Sequence, residues 1–234
     1  METMFLHNGT YWIIFIVFML LSWLVSARLK SKFRSYSKMP IASGLTGRDV
    51  AEKMLHDNGV TDVTVQSVPG ELTDHYNPLK KTINLSREVY AGSSIASAAV
   101  AAHETGHALQ HAQSYAWLGM RSKLAPVVSF SSNWIQWVLI AGLVLINSRP
   151  EILLVGIVLF AITTLFSFIT LPVEINASKR ALAWLSNAGI TYAGTHDKAR
   201  NALKWAAYTY VIAALGSLAA LIYYIMIFMG VRNR

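Results

Sequence analysis

The stretch "AAVAAHETGHALQH", residues 98–111, sets two histidines and a glutamate into a run of small apolar residues. His103 and His107 are four positions apart, so on a helix they share one face and both imidazoles can reach a single ion, with Glu104 beside them. The chain has seven histidines and seven glutamates in 234 residues, and chance then supplies only roughly 0.006 copies of the H-E-x-x-H pattern. A polar, solvated helix face is the plainer alternative. It fits poorly, because Ala101, Ala102, Thr105, Gly106, Ala108 and Leu109 are all uncharged, as a helix buried around a metal requires.

The rest of the chain is composed for a bilayer. Hydrophobic residues make up 54% and charged residues 14%, with a mean hydropathy of +0.41, which exceeds what a soluble domain of this length carries. There is no cysteine. Disulfides, thiolate zinc sites and cysteine nucleophiles are excluded together, and any metal must be held by histidine and carboxylate.

Four apolar runs are long enough to span: residues 11–25, 134–146 with an uncharged flank from Leu124, 152–171 and 206–229. The second is the weakest, and "NSRPE" makes a tight turn before the third. No Lys or Arg precedes Tyr11, whereas Arg28, Lys30, Lys32, Arg34 and Lys38 follow Val25, so the first run reads as an uncleaved anchor with its N-terminus outside. On that topology 12 basic residues lie between Arg28 and Lys123 and 5 between Pro172 and Lys204, while Arg149, Arg232 and Arg234 lie outside. This asymmetry accounts for the net charge of +8 without a nucleic-acid partner.

The expected fold is mainly α: an integral membrane protein with about four transmembrane helices and a small β-sheet on the cytoplasmic side. Its expected divisions are an anchor helix (1–27), a cytoplasmic catalytic segment carrying the histidines (28–123), a transmembrane hairpin (124–171), a cytoplasmic helical segment (172–206) and a last transmembrane helix (207–234). The segment 28–123 has few bulky apolar residues and is expected to pack against the membrane helices. Within it, "LTGRDVAEKMLHDNGV" predicts a helix capped by Thr46 and Asp49 and stopped by Gly59. "VTVQSV" and "KTINLS" predict strands, with turn chemistry in "ELTDHYNPL" between them.

A catalytic zinc needs a third protein ligand. His111 lies about 12 Å along the helix axis from His103, too far for ligand bonds of about 2.1 Å, so it has a supporting or structural role. Glu174, in "FITLPVEINASKRALAWL", directly follows a spanning run, where an isolated acid is costly unless it is paired or coordinated. The intervening chain crosses the membrane twice, which returns Glu174 to the side of His103 and His107. An interfacial carboxylate neutralised by Lys179 or Arg180 is the competing reading, and Glu151 is a rival placed in the external turn.

Together "AAHETGHALQH", "LTDHYNPLKKTINLS" and "LPVEINASKRAL" resemble the bacterial YugP-type membrane zinc metallopeptidases, over most of the chain. These are relatives of the gluzincin membrane peptidases, which include HtpX and the CAAX-processing enzymes. The resemblance implies a gluzincin-like core and one zinc ion per chain, held by His103, His107 and Glu174, with Glu104 as general base. In the wider group a glutamate in an E-x-x-A-D pattern completes the site. Glu174 and Ala177 match it, whereas Ser178 stands in place of the aspartate, leaving Asn176 or Ser178 to orient a zinc histidine. The resemblance also implies a strand beside the metal, around His75, Tyr76 and Asn77, whose free edge binds extended substrate.

The reading is therefore a zinc-dependent endopeptidase of the bacterial plasma membrane, with its site at the cytoplasmic face and a peptide or protein, membrane-associated, as substrate. A non-catalytic zinc protein, whether carrier, assembly factor or inactive scaffold, is the alternative. A carrier needs ionisable ligands along its crossing path, and the apolar runs contain almost none. Substrate identity and oligomeric state leave no trace in the sequence.

Overall fold

The computed structural model describes residues 2–232, with side chains from Trp12 to Gly230; Arg234 and the side chain of Arg232 lie outside the described residues. Among the described residues, the chain forms helices α1 (Glu2–Tyr36), α2 (Gly47–Asp57), α3 (Arg87–Ala91), α4 (Ile95–Ala112), α5 (Ala116–Val144), α6 (Pro150–Asn187) and α7 (Ala193–Arg232) and three strands, β1 (Thr64–Val68), β2 (His75–Asn77) and β3 (Thr82–Ser86). Helices α1, α5, α6 and α7 are long and apolar enough to cross a membrane. The second of them, α5, is the least apolar of the four, as its sequence leads one to expect. The helices also outrun their apolar stretches: α6 continues through Pro172 to Asn187 and carries Glu174. Hydropathy marks where lipid contact ends, but nothing there obliges the helical backbone to end.

The α2 boundaries follow from local chemistry. Thr46 Oγ1 accepts the Asp49 N–H at 3.2 Å while the Thr46 N–H donates to Asp49 Oδ2 at 2.8 Å, a reciprocal box. Gly59, at φ +69°, ends the segment in a conformation that few other residues adopt without strain.

The sheet corrects the expectation of two strands joined by a turn. β2 lies inside the predicted turn and pairs antiparallel with β3, His75 opposite Asn84 and Asn77 opposite Thr82. β1 pairs parallel with the other side of β3, giving the order β1-β3-β2. The hairpin is thus β2–β3. Its turn is set by Asn77 Oδ1, which accepts the N–H groups of Leu79 and Lys80 at 3.0 Å each.

The chain divides into two compact units. One comprises residues 1–24, 120–171 and 209–234. In it α5 and α6 touch nearly backbone to backbone: a Cβ on Gly142 would stand 2.6 Å from Leu153 Cα. Such close approach at small residues is how helices pack in lipid. Trp23, Phe130 and Trp137 are 68%, 71% and 69% exposed, an arrangement that suits a hydrocarbon surround and not water.

The other unit comprises residues 25–119 and 172–208. The core that segment 28–123 lacks by itself is completed by the later stretch. Val50 and Met54 of α2, Ile83 and Leu85 of β3, Ile95 of α4 and Leu185 of α6 share one buried cluster with Leu203 of α7.

Candidate metal centre

Helix α4 is made of small residues for a reason visible at its middle. A Cβ on Gly106 would come within 2.7 Å of the Ala177 carbonyl oxygen, and Ala177 is itself fully buried. The glycine between the histidines therefore lets α4 press against α6. The Ser94 hydroxyl caps the start of α4 by accepting the Ser97 N–H at 3.1 Å.

This contact brings His103, His107 and Glu174 together. Glu174 Oε2 lies 3.3 Å from His103 Nε2 and 3.6 Å from His107 Nε2, and the possible ligand atoms of the three all lie within 4.8 Å of one another. Donors placed about 2.1 Å from a tetrahedral ion stand roughly 3.4 Å apart, between the two distances seen, so the spacing fits zinc, and two imidazoles with one carboxylate are a familiar catalytic donor set. Glu174 is 3% exposed. A carboxylate so buried requires a cation beside it, proton or metal. Burial works against a charged His107, yet hydrogen bonding to Glu174 and the charges of Glu104 and Glu174 outweigh it and hold its pKa above the ordinary histidine value.

Each histidine is oriented from behind, by different means. His103 Nδ1 meets the Ser178 hydroxyl at 3.1 Å. His107 Nδ1 meets Gln110 Oε1 at 3.0 Å. Gln110 is fully buried, and its Nε2 donates to the Val173 carbonyl at 2.8 Å and to Asn176 Oδ1 at 3.0 Å. With its amide nitrogen spent, Gln110 offers only an acceptor. His107 Nδ1 must then carry a proton, and its Nε2 is the nitrogen turned toward Glu174. Asn176 thus acts through Gln110 and touches neither histidine. Arg180 joins the same chain, donating to Asn176 Oδ1 at 2.7 Å and to Gln113 Oε1 at 2.6 Å.

Glu104 stands apart from the ligand cluster. It is 9% exposed, and its Oε2 accepts the main-chain N–H of Tyr76 at 3.0 Å. Strand β2 is therefore fastened to α4 at the glutamate, and fastened again where the Tyr76 hydroxyl meets His111 Nδ1 at 2.8 Å. His111 bonds Tyr76 and neither ligand histidine. The other two residues expected along the substrate edge are engaged locally. His75 bonds the Thr73 carbonyl at 2.8 Å and Asn84 Nδ2 at 3.1 Å, while Asn77 holds the turn. Asp74, one residue before β2, accepts the N–H of Ser86 at 2.7 Å and its hydroxyl. Burial raises its carboxyl above the usual range against these bonds, and the charge of Glu104 adds to the rise.

Sequence reasoning missed Gln110. Its position three residues after His107 put it on the right helix face, but the partners that give it meaning, Val173 and Asn176, lie on another helix.

Two imidazoles and a buried carboxylate around one point, on a helical chain composed for a membrane, are the furniture of a metal-dependent membrane hydrolase. The family described as "Putative neutral zinc metallopeptidase" matches residues 11–229, and the chain belongs to it. Among curated relatives, the "Putative membrane protease YugP" of Bacillus subtilis (strain 168) is 42% identical over 213 residues, spanning 91% of this chain and 94% of its own length. No solved structure matches.

Proposed function

We propose that the chain is a membrane-embedded endopeptidase with a gluzincin-like core that hydrolyses peptide bonds at the cytoplasmic face, one zinc ion being held by His103, His107 and Glu174. The observation that carries this reading is the meeting of those three side chains beside a glutamate that belongs to none of the ligand contacts. Bound there, zinc supplies the Lewis acidity that polarises the scissile carbonyl and acidifies the attacking water.

The protein's own groups do the rest. Tyr76 holds one oxygen of Glu104 by its main-chain N–H, leaving the other to take a proton from water as that water adds to the carbonyl carbon. When the carbon–nitrogen bond breaks, Glu104 returns the proton to the leaving amine. Ser178 and Gln110 keep the two imidazoles turned to the same point. A substrate laid along β2 in extended form would meet the main-chain groups of that edge other than the Tyr76 N–H, which Glu104 holds, with few demands on its sequence.

Metal content per purified chain tests the ligand set. The wild type is expected to hold one zinc and Glu174→Ala to lose most of it; full occupancy at unchanged affinity in Glu174→Ala would remove Glu174 from the set. Sidedness is tested separately in this cysteine-free chain. An impermeant thiol reagent applied to intact cells should label a cysteine placed at Ser148 and miss one at Gln66, and the reverse pattern would put the site outside.

A further inference from the structure

The C-terminal part of α1 has two unlike faces. Phe33 and Tyr36 are 8% exposed each and belong to the buried core cluster. The opposite face presents Lys30, Ser31, Arg34 and Ser35, all exposed. With Ala27, Lys38 and Met39, these residues line one open concavity of about 650 Å³.

Three cations line that concavity and no acid does, although Lys38 also borders a neighbouring hollow with Glu88. No Asp or Glu occurs between Arg28 and Arg48, and among the described residues no carboxylate lies within ion-pair reach of Lys30, Arg34 or Lys38. Elsewhere in the same unit Arg48 pairs with Glu52, Lys53 with Asp57, Lys81 with Asp62 and Arg200 with Asp197. Even Lys32, on the flank of the same helix, sits 5.9 Å from the centre of the Tyr36 ring. Like charges one helical turn apart, as Lys30 and Arg34 are, destabilise a helix unless an anion lies between them.

The place identifies the anion. The apolar run of α1 ends at Val25, and Lys30 follows within two helical turns, at the level where a bilayer carries its phosphates. We infer that this concavity is a headgroup site for an anionic phospholipid. Lys30, Arg34 and Lys38 meet the phosphate charge, Ser31 and Ser35 add hydroxyl donors, and Ala27 lies on the side of the acyl chains. A lipid so held fixes the depth and rotation of α1, whose buried face packs into the same core as α4. Orienting the whole chain in the membrane would require only a surplus of positive charge; a headgroup site requires these three positions.

The full-length protein in neutral detergent micelles, supplied with equal amounts of phosphatidylglycerol and phosphatidylcholine, gives the test, with retained lipid counted by native mass spectrometry. The wild type should keep phosphatidylglycerol over phosphatidylcholine by about tenfold or more, and Lys30→Gln/Arg34→Gln/Lys38→Gln should bring the ratio near one. All three side chains are solvent-facing, so the variant is expected to keep the wild-type circular dichroism. Lys53→Gln/Lys80→Gln/Arg87→Gln removes the same charge elsewhere and should keep the preference. Equal retention of both lipids by the wild type, an unchanged preference in the first variant, or an equal loss in the second would overturn the site. Millimolar inorganic phosphate should leave the lipid in place; displacement one for one would show a free-anion site and overturn the lipid assignment.

Discussion

The two histidines of the centre look equivalent in sequence and are supported very differently. Behind His107 stands a buried chain running from Gln110 through Asn176 to Arg180, in which Gln110 spends both its acceptor and its donors. Behind His103 stands a single hydroxyl, that of Ser178. A saturated amide network leaves one tautomer and one ring orientation available. A hydroxyl can rotate and can either donate or accept, so it specifies less. One ligand is built rigid and the other adjustable, although both come from the same turn and a half of α4.

That difference is open to measurement. Gln110→Leu should have the larger effect, because it leaves the His107 N–H without its acceptor and Asn176 without a buried donor. Zinc affinity is expected to fall about tenfold to a hundredfold, and thermal unfolding should show a loss of about 1–3 kcal/mol of stability. Ser178→Ala should weaken zinc by less, about threefold to tenfold, with the melting temperature nearly unchanged, since the hydroxyl lies at the edge of the site and its loss strands no second partner. Competition with a fluorescent zinc chelator gives both affinities. If Ser178→Ala proves more costly than Gln110→Leu, the ranking of the two supports is reversed.

What could be read from the sequence follows the same division between local and distant causes. The α2 cap was legible because Thr46, Asp49 and Gly59 act within their own segment. The four apolar helices were legible because hydropathy is summed along the chain. The meeting of His103, His107 and Glu174 rests on spacing in one case and on counting crossings in the other, and the side chains are found together. Strand β2 was illegible from propensity, since three residues flanked by Asp74 and Pro78 read as a turn. It is a strand only because β3, Glu104 and His111 hold it from outside. The parallel pairing of β1 with β3 was hidden likewise, because nothing within either strand encodes the side on which it docks. Gln110 was passed over for the same reason, its partners being 63 and 66 residues away.

The central claim is that this chain cleaves peptide bonds through Glu104 and does not merely hold a metal. Glutamine at that position keeps the size of the side chain and can still accept the Tyr76 N–H, while removing the group that takes a proton. Purified Glu104→Gln should retain near-normal zinc and folding, and its cleavage of a peptide substrate should fall by at least about a hundredfold. Cleavage at the wild-type rate by zinc-loaded Glu104→Gln would contradict the account.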